Sequence, residues 1–243
     1  MILLAFDTST AYLSLAISDD DRFLAVRTLN NNRALSSKMI PALTRMFQKA
    51  GCAPAEIDAV AVGLGPGSFT GLRVGLSTAK GLAYALNKPI LGIPSLDVTA
   101  MNVTKGSADQ VCVLFDARRD MVYAAVYQCL EQGIALISDY LLSQPAAVLS
   151  HLKGRVAFVG DAIPIYRDMI DAKSRGKGAT FTPLFLDEKK WFPSAKNLSI
   201  LARCRYDRQD YDCVETLSPL YLYPDDCQVR TTSHCTIDRA ASL

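Results

Sequence analysis

The sequence predicts a duplicated α/β fold of two lobes. Two observations point to it. Leu4-Ala5-Phe6-Asp7 is echoed by Val113-Leu114-Phe115-Asp116, about half a chain later. Each copy continues through a polar turn into an apolar return run, residues 12–17 in the first and 121–127 in the second, and then into helical material. A chain of 243 residues, half of them hydrophobic and 21% charged, has enough apolar material for two such units. The expected organisation is a first lobe over residues 1–105, a smaller second lobe over 106–230 and a frayed polar tail over 231–243.

Residues 2–7 and 12–18 read as a strand, a tight turn and an antiparallel return, and residues 23–29 add a third strand before a turn at Asn30-Asn31-Asn32. Met39, Ile40, Leu43, Met46 and Phe47 recur at helical spacing, so residues 36–50 form a helix that Ser36 or Ser37 is placed to cap and Gly51 ends. Pro41 fits that helix only if it starts late. A strand at 57–63 leads into Gly65-Pro66-Gly67-Ser68-Phe69-Thr70-Gly71-Leu72-Arg73-Val74-Gly75 and a helix over 70–86 that Lys88-Pro89 stops. A strand at 90–93, a helix opening at Pro94-Ser95, a late helix at 197–206 and an extended piece at 219–223 complete the reading.

The chemistry that the chain excludes is informative. Its two histidines, His151 and His234, lie in no metal-binding spacing, and no G-x-S-x-G elbow is present. The formal charge of +2 does not support a self-sufficient RNA binder, though it permits a subunit that helps another hold RNA. There is no run of about 20 apolar residues and no signal-peptide pattern at the start. Seven scattered cysteines without a CxxC pair suit reduced thiols and a cytoplasmic protein. Cys213, Cys227 and Cys235 with His234 are the one set with ligand chemistry, set against a loose tail. The basic Ser174-Arg175-Gly176-Lys177-Gly178 segment lacks P-loop spacing and reads as a solvated loop.

Three motifs remain. An Asp at a strand end followed by hydroxyls, as in Asp7-Thr8-Ser9-Thr10, suits a magnesium–phosphate group. Sugar kinases and actin-like ATPases use such a hairpin twice, with a glycine where the backbone nears the phosphate. Neither this turn nor Asp116-Ala117-Arg118-Arg119-Asp120 has that glycine, so Asp7, Thr8, Ser9, Asp116 and Arg118 mark a degenerate nucleotide pocket. The Asp116 group also reads as an ion-pair network or an acid/base cluster. Gly67, Gly71, Gly75 and Ala79 form a small-residue stripe, whose readings are packing on the chain's own sheet, a helix–helix contact with another subunit, or a phosphate cradle.

The 65–75 segment closely resembles the signature of the TsaB (YeaZ) family, and the two Asp turns, residues 88–96 and Pro219-Leu220-Tyr221-Leu222 are similar to further blocks of that family in the same order. Residues 130–215 carry little of the resemblance. It implies an actin-like, sugar-kinase-like (ASKHA) α/β fold. It further implies a non-catalytic, cytoplasmic subunit that binds and activates TsaD, with TsaE as a third partner. The assembly transfers threonylcarbamoyl to the anticodon-adjacent adenosine of tRNAs reading A-starting codons. No cofactor of its own is implied, ATP and metal being expected on TsaD and TsaE, and tRNA is met through the complex. The implied contact maps onto the first two helices, with Met39, Leu43, Met46, Gly67, Gly71, Arg73, Gly75, Ala79 and Leu82 as interface candidates and a homodimer through the same face when TsaD is absent. Leu35 stands where the family often has a histidine. A stand-alone actin-like ATPase or kinase is the alternative. A peptidase, the other activity associated with this wider family, lacks a nucleophile–base pair or metal triad here.

Overall fold

The repeat is present as two sheets of one strand order. The computed structural model describes residues 1–30 and 35–222. They divide into two units, Met1–Val98 with Pro193–Leu220, and Thr99–Phe192 with the described part of Tyr221–Leu243. In the first unit β1 (Ile2–Asp7), β2 (Tyr12–Asp19) and β3 (Arg22–Asn30) form an antiparallel meander. Next come α1 (Leu35–Ala50), β4 (Ala59–Gly63), α2 (Phe69–Leu86), β5 (Ile90–Ile93) and the short α3 (Ser95–Ala100). The sheet order is β3-β2-β1-β4-β5, with β1, β4 and β5 parallel.

The second unit runs β6 (Gln110–Arg118), β7 (Met121–Leu130), β8 (Gly133–Leu136), β9 (Leu141–Ser143), α4 (Pro145–Leu149), β10 (Gly154–Val159), α5 (Ile163–Arg175) and β11 (Phe181–Phe185). Its order, β8-β7-β6-β10-β11, repeats that of the first sheet with the same antiparallel and parallel partners. β1 therefore corresponds to β6 and Asp7 to Asp116, as the Phe6–Phe115 alignment requires. This duplicated arrangement is the one expected of the actin-like, sugar-kinase-like α/β fold. Here Leu114, Val122, Ala124 and Phe158 pack against Val148, Leu149, Ile163 and Ile170 of the two helices.

Residues alternate across a strand, and both faces of the first sheet are covered. Leu4 and Phe6 of β1, Leu13, Leu15 and Ile17 of β2, and Val60 and Val62 of β4 meet α1 and α2. The other face carries Ala5, Ser14, Ala16, Ala59 and Ala61, small residues that admit a helix. That helix is α6 (Ala195–Asp207), packed over β1, β2, β4 and β5, with the Ala195 amide donating to Ser14 Oγ at 2.8 Å. The first unit thus ends near residue 98 and takes back residues 193–220, unlike the contiguous 1–105 and 106–230 read from the sequence. The stretch after α6 covers the β5 edge, where Asp212 accepts from the Gly92 amide at 2.7 Å and is itself held by Arg205 at 2.9 Å.

Two local expectations change. α1 begins at Leu35, ahead of both serines, so Pro41 lies within it and removes one backbone donor. Its inward face is Leu35, Met39, Ala42, Leu43, Met46 and Phe47, a 4-3-1-3-1 spacing, while Ile40 is 59% exposed. Pro219–Leu222 forms no regular strand; the Leu220 amide donates to Leu64 O at 2.9 Å. Residues 31, 32, 223, Cys227, His234, Cys235 and the 231–243 tail lie outside the described residues. Among the described residues there is no His/Cys/Asp/Glu group able to hold a metal ion, and no helix long and apolar enough to cross a membrane.

Candidate functional site

β1 delivers Asp7 to the turn, and the turn is interior. Asp7 is 1% exposed, Thr8 0% and Ser9 1%. One carboxylate oxygen of Asp7 accepts from the Ser9 amide at 2.8 Å and from Ser9 Oγ at 2.6 Å. The other accepts from Ser95 Oγ at 2.6 Å, and that hydroxyl accepts in turn from the Gly65 amide at 3.0 Å. Ser95 opens α3 right after β5, so Asp7 ties the ends of β1 and β5 to the glycine-rich loop.

That loop and the start of α2 lie directly on the turn. The Ser68 amide donates to Ser9 O at 2.7 Å, and Thr8 Oγ1 donates to Gly71 O at 2.8 Å. A Cβ at Gly63 would collide with Asp7 Oδ2, one at Gly67 with Ser9 O, one at Gly71 with Thr8 O and one at Gly75 with Thr8 Oγ1. The glycine absent from the turn is thus supplied by the segment facing it. These glycines let α2 approach the turn, not a neighbouring helix or a phosphate. Burial raises the Asp7 carboxyl above its ordinary 3.8, partly opposed by the bonds from Ser9 and Ser95.

The sign of that shift gives a pH prediction. A carboxyl whose folded value is raised stabilises the fold fully below its unfolded value and loses that contribution as pH rises through the folded one. Asp7→Asn has no such titration. The stability of the native chain minus that of Asp7→Asn should therefore fall as pH rises above 3.8 and then level off. Paired urea denaturation across pH 4–8 checks this, and a difference that grows with pH contradicts it.

In the second unit Asp116 and Arg118 meet as the sequence suggested, but in an open setting. Arg119 and Asp120 link the Arg118–Met121 pair with φ of 52° and 58°, the positive values that a type I′ turn requires. Asp116 Oδ1 accepts from the Arg118 amide at 2.9 Å, and its other oxygen lies 3.6 Å from Arg118 Nε. Arg118 is 87% exposed, so this ion pair contributes little. Asp161, which the sequence reading missed, accepts from the Asp116 amide at 2.9 Å. Burial, with repulsion from Asp116, raises its carboxyl. The signal for it was the Gly160-Asp161 pair that closes the apolar run of β10.

Most interface candidates serve the chain's own interior. Met39, Leu43 and Met46 are core residues, and Gly71, Gly75 and Ala79 are buried beneath α2. Gly67 and Leu82 are half-buried, Gly67 facing Ser9 and Leu82 packed on the core. Only Arg73 is exposed, its guanidinium 3.9 Å above the Phe69 ring. The helical period was right, but the stripe that it selects faces inward. The outward faces instead carry Ile40 on α1, 59% exposed, and Phe69, 49%, and Tyr84, 78%, on α2. Gly81, between them on α2, would direct a Cβ into open space.

Residues 27–223 match the family described as TsaD, tRNA N6-adenosine threonylcarbamoyltransferase. The tRNA threonylcarbamoyladenosine biosynthesis protein TsaB of Bacillus subtilis is 31% identical over 186 residues, spanning 73% of this chain and 79% of its own length. That of Escherichia coli is 36% identical over 230 residues, spanning 91% and 94%. The solved structure of YeaZ from Pseudomonas aeruginosa superposes with a TM-score of 0.78 at 28% identity, covering 91% of this chain and 99% of its own. With relatives of this identity matched over most of their length, and with one of their folds repeated here, the chain belongs to the TsaB (YeaZ) family.

Proposed function

We propose that the chain acts in tRNA threonylcarbamoyladenosine biosynthesis as a non-catalytic subunit that binds and activates TsaD, in a cytoplasmic assembly with TsaE. The observation that supports this is the closed Asp7 turn. Its carboxylate already takes three donors from the chain itself, and α2 occupies the space above Thr8 and Ser9. A nucleotide would have to displace that packing. ATP and metal then belong to TsaD and TsaE, and tRNA is met through the complex. In this reading the stand-alone ATPase is the weaker alternative.

The contact with TsaD is assigned to the outward faces of α1 and α2. Exposed Ile40, Phe69 and Tyr84, with Arg73 stacked on Phe69, combine the aromatic and Arg side chains that interfaces favour. The same face serves a homodimer when TsaD is absent. Gly81→Leu adds bulk there without touching the core. It should weaken the TsaD complex by about tenfold or more, roughly 1.4 kcal/mol, with the unfolding midpoint not lowered but raised slightly, because leucine is the better helix former. Undiminished co-elution with TsaD moves the contact elsewhere.

The function itself is tested by threonylcarbamoyl transfer with purified TsaD, TsaE, tRNA, ATP and threonylcarbamoyl-adenylate, with and without this chain. Modification that needs the chain, with none from the chain alone, supports the reading. Modification indifferent to its omission overturns it, and the ATPase alternative takes its place.

A further inference from the structure

Six of the eleven Lys and Arg residues of Thr99–Phe192 lie in the loops at one end of its sheet. The loops that lead into β6, β10 and β11, residues 102–109, 150–155 and 173–180, are stitched together. Arg155 Nη2 donates to Gly106 O at 2.8 Å, the Asp109 amide to Arg155 O at 2.7 Å and the Gly154 amide to Thr180 O at 3.0 Å. Thr180 Oγ1 donates to Leu152 O at 2.7 Å. This rim carries six exposed cations, Lys105, Lys153, Arg155, Lys173, Arg175 and Lys177, in a chain whose formal charge is only +2. Its one carboxylate, Asp109, is engaged by the Arg155 amide at 2.7 Å. Asp171 on α5 and Glu131 in the β7–β8 turn are the nearest further acids along the chain and sheet, and the rim stays net positive with both included. Among the described residues none of the six cations lies within ion-pair distance of a carboxylate.

We propose that this rim docks the phosphodiester backbone of tRNA while the chain sits in its complex. The proposal rests on the tRNA-modification reading above. The composition favours RNA over a protein. Protein interfaces are depleted in Lys and anchored by buried aromatic groups. These loops hold four lysines, two arginines and four glycines and no Phe, Tyr or Trp, His151 being their one aromatic ring, and Leu152 and Ala108 are already buried. With the single imidazole of His151 and no larger aromatic platform for base stacking, the rim reads chiefly backbone charge and not sequence. The chain is then an accessory holder of RNA, which its low overall charge permits.

The test is one reversal per loop, Lys105→Glu, Lys153→Glu and Lys177→Glu together, in the full chain reconstituted with TsaD. tRNA affinity is measured by fluorescence anisotropy across a KCl series. The triple variant should bind about tenfold or more weakly at low salt. The slope of log K against log[KCl] should shrink by about 2, at roughly 0.7 per lost contact to a single-stranded backbone. Unchanged affinity and slope overturn the proposal. So does a variant that no longer co-elutes with TsaD, since the rim is then a protein contact. If the native complex fails to modify tRNA yet loses its salt-dependent binding in the variant, the rim stands and the functional reading falls.

Discussion

Gly71→Ala should destabilise the chain by about 2–4 kcal/mol, a large part of the usual margin of about 5–15 kcal/mol. Helix propensity alone predicts the opposite sign, a gain of up to about 1 kcal/mol. The new Cβ would meet the Thr8 carbonyl oxygen, a backbone atom that no rotamer change removes. α2 would have to lift from the turn, which costs about 1–3 kcal/mol in overpacking. The move also disturbs the Thr8–Gly71 and Ser68–Ser9 bonds of 2.8 and 2.7 Å, about 1 kcal/mol each. Gly75→Ala is the informative comparison, because its neighbour there is the Thr8 hydroxyl, a side chain. It should cost less, about 1–2 kcal/mol, and Thr8→Ala should relieve it by about 1 kcal/mol in a double-mutant cycle. Thr8→Ala should not relieve Gly71→Ala. Urea midpoints at constant m value give all four numbers. Relief of both glycine variants by Thr8→Ala would mean that the helix touches the turn through side chains only.

The two glycines also show how far the sequence could be read. The repeat was legible because strand alternation and the Phe-Asp strand end are local patterns, and both copies fold into the same strand order. α1 was legible from its apolar period and α2 from its small-residue stripe and the Lys88-Pro89 stop. What period cannot supply is what lies opposite. The 67–71–75 stripe has one spacing whether it meets a partner helix, a phosphate or, as here, the turn after β1, more than 50 residues earlier in the chain. Met39, Leu43 and Met46 likewise mark a buried face without saying whose core buries it. α6 was found as a helix, but its return to the first sheet depends on alanines and serines of three strands that carry no signal singly. Ser95 was read as a helix opener and is also the donor that completes the Asp7 carboxylate. A hydroxyl 88 residues away announces no such bond.

Asp7→Ala should also be costly, by about 3–5 kcal/mol, for a different reason. It leaves the Ser9 amide, Ser9 Oγ and Ser95 Oγ without their common acceptor inside the protein, at about 1–3 kcal/mol for each buried donor that finds no other partner. Some of that is recovered because a desolvated carboxylate is removed. Asp7→Asn separates the two effects. Its amide oxygen keeps the Ser9 bonds, it carries no charge to desolvate, and only the side facing Ser95 loses an acceptor. It should cost about 1 kcal/mol at neutral pH. The pair also discriminates structure from chemistry in the transfer assay. If Asp7 is a structural tie, Asp7→Ala loses activity only in proportion to its unfolded fraction, and the folded Asp7→Asn protein supports near-native modification by TsaD. A fully folded Asp7→Asn chain that binds TsaD but supports no modification would return Asp7 to the reaction. The closed turn would then be one state of a site that opens within the complex.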